Sequence, residues 1–205
     1  YLYNWGDDIG PVQVFLGNTM SAMPGRFRLT VDQYENMIRH GILTERHNVE
    51  LIRGEIVLKM PKGDFHSYCV RELNRIFGEL ASRQAIINIQ DPVVLAESEP
   101  EPDVSLLVKR DHKYRHGKPT AADVLLLIEV ADSSVEYDRN VKGPLYAENS
   151  IHEYWIVNLK ERCVEVYLEP QLDGTFSKIE KRFPGEQITP HLLPQASISV
   201  NELFS

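Results

Sequence analysis

The chain has 205 residues, 42% hydrophobic and 25% charged, with a formal net charge of −8. That size suits one domain with a substantial core, and the negative balance excludes a protein that coats nucleic acid through nonspecific phosphate neutralisation. There is no run of about 18 apolar residues, so no transmembrane helix is expected, and two cysteines without a Cys-x-x-Cys pair exclude a disulfide framework and a thiolate zinc site, which fits a reducing, cytoplasmic setting.

Residues 1–29 read as an irregular N-terminal extension, rich in Gly, Asn, Pro and scattered aromatics, ahead of a domain over 30–205. Tyr1 to Gly10 contain Asp7 and Asp8 and no Lys or Arg, which is not the pattern of a secretory signal. Thr30 and Gln33 form a capping box for a short helix with Val31, Tyr34, Met37 and Ile38 on one face, ended by Gly41. Residues 49–60 predict a β-hairpin turning near Gly54 and closed by Pro61. A helix from His66-Ser67 places Cys69, Val70, Leu73, Ile76, Phe77 and Leu80 on one stripe. Strands are predicted over 85–95, 103–108 and 123–130. The last is apolar at every position from Val124 until Glu129, as in a central strand covered on both faces. Asp138, Lys142 and Tyr146 share a face if their segment is helical, but Gly143-Pro144 argues against an unbroken helix and puts Lys142 at a helix entry. Two strands over 153–157 and 163–168 follow, then a hairpin turn at Asp173-Gly174 and a terminal edge strand over 196–200.

The chemistry rests on charge in apolar surroundings. A carboxylate beside a buried run loses hydration and must be paired or bound to a metal. Asp103 begins one strand and Glu129 nearly ends another, and two acids converging there repel unless a hard cation such as magnesium sits between them. Lys142 can orient or deprotonate a water and stabilise developing negative charge. Glu50, which interrupts a hairpin strand, is a fourth candidate, as ligand or positioning acid. Each has a plain structural reading as well: Pro-Asp marks ordinary strand starts, Lys142 suits a solvated helix, and Glu50 could pair with Arg53 or Arg46. His66 reads as a cap or a residue supporting the site. Lys109, Arg110, Lys113, Arg115 and Lys118 form a basic loop after the Asp103 strand, read either as a solvated loop or as a nucleic-acid contact. Cys69 and Cys163 fall on core faces.

Read in order, Val49-Glu50-Leu51-Ile52-Arg53-Gly54-Glu55-Ile56, Pro102-Asp103-Val104-Ser105, Ile128-Glu129-Val130-Ala131-Asp132-Ser133-Ser134, Asp138…Lys142…Tyr146 and Ile151-His152-Glu153-Tyr154-Trp155-Ile156-Val157 resemble the PD-(D/E)xK nuclease superfamily, and more closely its Uma-two branch of restriction endonucleases. The superfamily's Glu-x-Lys would put a lysine at position 131, where this chain has Ala131; the branch carries its lysine later, which maps to Lys142. The resemblance implies an α+β fold, a restriction-endonuclease-like mixed β-sheet core flanked by helices with added β-hairpins. It further implies a metal-dependent DNA endonuclease with Glu50, Asp103, Glu129 and Lys142 as catalytic residues. Asp103 and Glu129 would be the ligands of magnesium (or manganese), and such proteins are commonly homodimers. The alternative is a catalytically inactive member of the same fold that binds nucleic acid or protein.

Overall fold

The computed structural model describes residues 26–81 and 83–205. Residues 1–25, most of the expected extension, lie outside the described residues. The first described residues already join the domain: Arg26 pairs with Glu55, and the Leu29 N–H donates to the Gly54 carbonyl at 2.8 Å.

Helix α1 (Val31–Arg39) opens on the expected capping box, with Gln33 N–H donating to Thr30 Oγ1 and Thr30 N–H to Gln33 Oε1. Of its apolar stripe only Tyr34 is buried and Ile38 is exposed, so α1 lies on the surface, tied down by the Tyr34 hydroxyl donating to the Val49 carbonyl. Strands β1 (Val49–Ile52) and β2 (Glu55–Leu58) form the antiparallel hairpin. Arg53 and Gly54 both take positive φ, 50° and 75°, as a two-residue hairpin turn with strand-compatible twist requires. A Cβ on Gly54 would stand 2.9 Å from the Leu29 carbonyl oxygen, so only glycine fits.

Helix α2 (Asp64–Leu80) starts one half-turn before His66, capped at Gly63. Cys69, Val70, Leu73, Ile76 and Phe77 are buried as expected, while Leu80 is exposed. Strands β3 (Ala85–Ile89), β4 (Val104–Val108), β5 (Val124–Ala131), β6 (Glu153–Asn158), β7 (Cys163–Pro170) and β8 (Phe176–Arg182) build a six-stranded sheet in that order. All neighbours are antiparallel except β5 and β6, so the sheet is mixed. The strand expected over 85–95 stops at Ile89 because Gln90 turns left-handed at φ 54° and Pro92, two positions on, has no N–H for a ladder.

Strand β5 is the hinge of the architecture. Leu126, Ile128 and Val130 face one core layer, under α2. Leu127 and Ala131 face the other, and Glu129 shares their side by the period-two alternation of a strand. The parallel partner β6 is reached through a helical crossover: α3 (Val135–Tyr137), a π turn over Asp138–Lys142, and α4 (Gly143–Glu148). The sequence suggests that Gly143-Pro144 interrupts the helix and puts Lys142 at a helix entry; α4 does open there, with Pro144 in its first turn, and the chain reaches it through the π turn. Pro144 has no N–H for the carbonyl four residues back, and in a regular helix its ring would press on that carbonyl. The widened turn absorbs the misfit, with Gly143 N–H reaching five residues back to Asp138.

Residues 196–200 do not extend the main sheet. Strands β9 (Gln187–Ile188) and β10 (Ile198–Ser199) pair only with each other, because Pro184, Pro190 and Pro194 break the segment too often for a long ladder. The closing helix α5 (Asn201–Phe204) docks on α2, where the Cys69 thiol donates to the Leu203 carbonyl. Cys69 and Cys163 are free and buried. Among the described residues no helix is long and apolar enough to cross a membrane.

Candidate active site

Glu50, Asp103, Glu129 and Lys142 line one cavity and all four are buried. The β4–β5 ladder, the β1–β2 hairpin and the π turn bring them there. In the β4–β5 ladder Val104 stands opposite Ile128, so the next antiparallel step sets Asp103 opposite Glu129. The fixed register of the hairpin turns Glu50 inward on β1, where its Oε2 accepts the Glu101 N–H at 3.0 Å. Lys142 ends the π turn and reaches back to β5, its Nζ 2.9 Å from Glu129 Oε1 and 3.4 Å from Glu50 Oε1.

Asp103 is the most firmly held acid. Its Oδ2 accepts the Val130 N–H at 2.9 Å and faces His66 Nε2 at 2.9 Å, while Oδ1 accepts from Gln90 at 3.1 Å. Lys62 stands 4.0 Å away. Burial by itself would raise this carboxyl, but the His66 hydrogen bond and charge, the Val130 N–H and Lys142 outweigh it and hold the group below its ordinary value. Glu129 shows the opposite balance. Burial pushes it up to about 8 against the pull of Lys142, with Asp138, Asp103 and Glu50 adding to the rise. Its Oε1 takes both Lys142 and the Tyr146 hydroxyl, at 2.8 Å; Oε2 receives no donor among the described residues.

Two further residues enter the cluster that were read from sequence only as helix-face positions. Asp138, buried and pushed up to about 6 chiefly by burial, lines the cavity and accepts from Ser134. Tyr146 anchors Glu129. Their spacing from Lys142 in sequence was the available signal; that the turn between them is a π turn was not. Lys142 stays protonated: burial lowers its pKa, but Glu129, Glu50 and Asp138 together raise it well above the ordinary lysine value. Four buried carboxylates thus surround one ammonium, with a free oxygen on Glu129. Such a surplus of hard oxygen donors fits a divalent cation, and Asp103 and Glu129 are the residues that would hold it.

The basic loop lies elsewhere. It leaves from Val108, the end of β4 remote from Asp103, and five strand residues at ~3.4 Å each separate the two. None of its residues lines the acid cavity. Lys109 donates to the Arg83 carbonyl, Arg110 pairs with Asp123, and Lys118 with Glu35 and Glu99. Among the described residues, Lys113 and Arg115 have no ion-pair partner. Adjacency in sequence to the Asp103 strand therefore does not become adjacency in space.

A second acidic group, Glu161, Cys163 and Glu165, has ligand-type atoms within 4.8 Å of one another. Its charges are already met: Arg139 grips Glu165 and Glu161, and Lys181 pairs with both. This is a bolt rather than a metal centre, since Arg139 belongs to the π turn that carries Asp138 and Lys142. Burial would raise the Glu165 carboxyl, but hydrogen bonds from Arg139, Asn158 and Tyr167 and the Arg139 charge hold it near the bottom of the scale, at about 2. A folded-state value below the unfolded one stabilises fully above about pH 4.5 and is lost as pH falls toward 2. Urea unfolding across pH is therefore expected to show the wild type more stable than Glu165→Gln at neutrality, with the gap closing below about pH 4. A gap that does not change with pH would contradict this role for the ion pair.

A family model described as "Putative restriction endonuclease" matches residues 31–201. No curated protein matches the chain significantly. The fold is similar to the crystal structure of "a putative nuclease belonging to DUF820" from Anabaena variabilis ATCC 29413, with a TM-score of 0.61 and 20% identity over 86% of this chain and 97% of that one.

Proposed function

Because this chain belongs to the Uma2 family (the Uma-two branch of restriction endonucleases), we propose that it is a metal-dependent DNA endonuclease whose centre is Glu50, Asp103, Glu129 and Lys142. The observation that carries this reading is the buried meeting of Lys142 with Glu129 and Glu50 beside Asp103, whose carboxyl is held below its ordinary value by His66, the Val130 N–H and Lys142. A divalent cation, when bound by Asp103 and Glu129, supplies positive charge to the phosphate oxygens and makes a bound water more acidic. Magnesium suits the all-oxygen donor set, and manganese would substitute for it.

The residues of the chain then have separable tasks. Lys142 is held protonated, so it does not serve as a general base; its charge faces the negative charge that builds on the phosphate as the attacking water adds to phosphorus. Tyr146 and Lys142 fix one oxygen of Glu129 and leave the other for the ion. His66 and the Val130 N–H fix Oδ2 of Asp103, and Gln90 donates to its Oδ1. Glu50, anchored by the Glu101 N–H, steers Lys142. Lys113 and Arg115 are the loop cations free to touch a DNA backbone away from the cut.

A second reading, a nuclease fold that binds nucleic acid or protein without cutting, draws on the net charge of −8 and on the loop cations already spent within the protein. Conversion of supercoiled plasmid to nicked and linear forms separates the two. Wild type is expected to cut with magnesium or manganese and to stop on chelation, while Asp103→Ala and Glu129→Ala cut at background. Equal cutting by wild type and variants, or none on varied DNA substrates, would sink the endonuclease reading.

A further inference from the structure

Among the described residues three buried side-chain polar atoms lack a hydrogen-bond partner: His66 Nδ1, Glu99 Oε2 and Tyr137 Oη. Two of these residues, His66 and Tyr137, line the acid cavity. A buried donor left unpaired costs stability, and such groups are few in native proteins. Two around one cavity point to a ligand that completes them.

The donors facing that cavity can be sorted. Lys142 is given to Glu129 and Glu50, Ser134 Oγ to Asp138, and Lys59 to Glu101. His66 faces Asp103 through Nε2, and its Nδ1 accepts in the neutral ring and donates in the charged one, so it selects no ligand class. Tyr137 Oη is the buried hydroxyl of the lining that has no acceptor. It ends α3, directly before Asp138 and the π turn, and Glu50, Lys142, Asp138 and Glu129 all lie near enough to act on its ionisation. Yet none of these carboxylates comes within hydrogen-bond distance. An acceptor oxygen carried by a bound molecule would complete the hydroxyl.

We propose that Tyr137 is a substrate-positioning residue whose hydroxyl donates to a non-bridging oxygen of the phosphodiester bound beside Lys142. This rests on the endonuclease reading and deepens it. The hydroxyl orients the phosphate without adding charge, complementing Lys142, and its unpaired state in the free protein is the stored cost of that readiness.

Tyr137→Phe separates this role from simple packing. The variant is expected to melt at a higher temperature than wild type, to bind manganese with unchanged affinity, and to lose about 10–100-fold in kcat/KM for DNA cleavage, the range for a hydrogen bond to a charged group. Wild type is also expected to discriminate against one phosphorothioate diastereomer at the scissile position, in manganese as in magnesium, and the variant to lose that discrimination. A lower melting temperature would show that the hydroxyl serves the fold and would overturn the proposal. Wild-type cutting matched by the variant would remove the Tyr137 assignment alone. Absence of cutting by wild type would remove the endonuclease reading and this proposal with it.

Discussion

Lys142→Met is expected to cost about 3–5 kcal/mol of folding stability, the range for removing one partner of a buried ion pair, and to reduce DNA cutting by about 100–1,000-fold. Methionine keeps much of the lysine stem's volume, so the loss isolates the charge. Without the ammonium, Glu129, Glu50 and Asp138 lose the one cation that faces all three, and the cluster must take up protons or open. The variant should therefore recover stability more steeply than wild type as magnesium is added, because the ion replaces the missing charge. Urea unfolding with and without magnesium reads both effects. A loss below about 1 kcal/mol, typical of exposed pairs, would mean that Lys142 is not the keystone of the cluster.

Asp103→Asn is expected to part stability from chemistry. Its donors remain matched: an asparagine oxygen can take the Val130 N–H and the His66 Nε2 hydrogen, and the Gln90 amide can turn to accept from the new NH₂ group. Removing one negative charge also relieves repulsion on Glu129. Stability should change by less than about 1.5 kcal/mol, the scale of one ordinary hydrogen bond. Metal affinity and cutting should fall by more than the roughly 10–100-fold seen when only a supporting partner of a ligand is lost. Calorimetric metal titration beside urea unfolding would check the split. A variant that cuts DNA at the wild-type rate would remove Asp103 from the chemistry.

The two variants differ because the residues reach the cavity in different ways, and that difference also set what the sequence could tell. Glu129 was legible at once: a carboxylate in a continuously apolar strand has few tolerable environments. Asp103 gained meaning from position, since the antiparallel ladder that pairs Val104 with Ile128 carries it opposite Glu129. The hairpin at Gly54 and the buried stripe of α2 followed from period and turn chemistry, and the mixed sheet from the family resemblance. What depended on tertiary context did not. Gly143-Pro144 marks a helix entry in sequence as in the fold, but that the chain enters it through a π turn depends on the crossover between two parallel strands. Ile38 and Leu80 fit their helical stripes but stay 39% exposed, because the fold around them covers less of each helix than its apolar pattern offers. The basic loop was placed by sequence adjacency, which says nothing about which end of a strand it leaves.

Arg139 shows the same limit from the other side. In sequence it is a charged residue next to Asp138; in the fold it bolts the π turn to Glu165 on β7 and so holds Lys142 toward β5. No local pattern announces a contact between residues 139 and 165.

The claim that joins these observations is that the carboxylates around Lys142 form a cation site serving phosphodiester cleavage. Manganese binding, followed by calorimetry and by the electron paramagnetic resonance of the free ion, tests it most directly on chelator-treated wild type, Asp103→Asn and Glu129→Gln. Saturable binding by wild type, weakened sharply in both variants while their folds persist, is the expected result. No saturable binding by wild type, or equal binding by all three proteins, would contradict it.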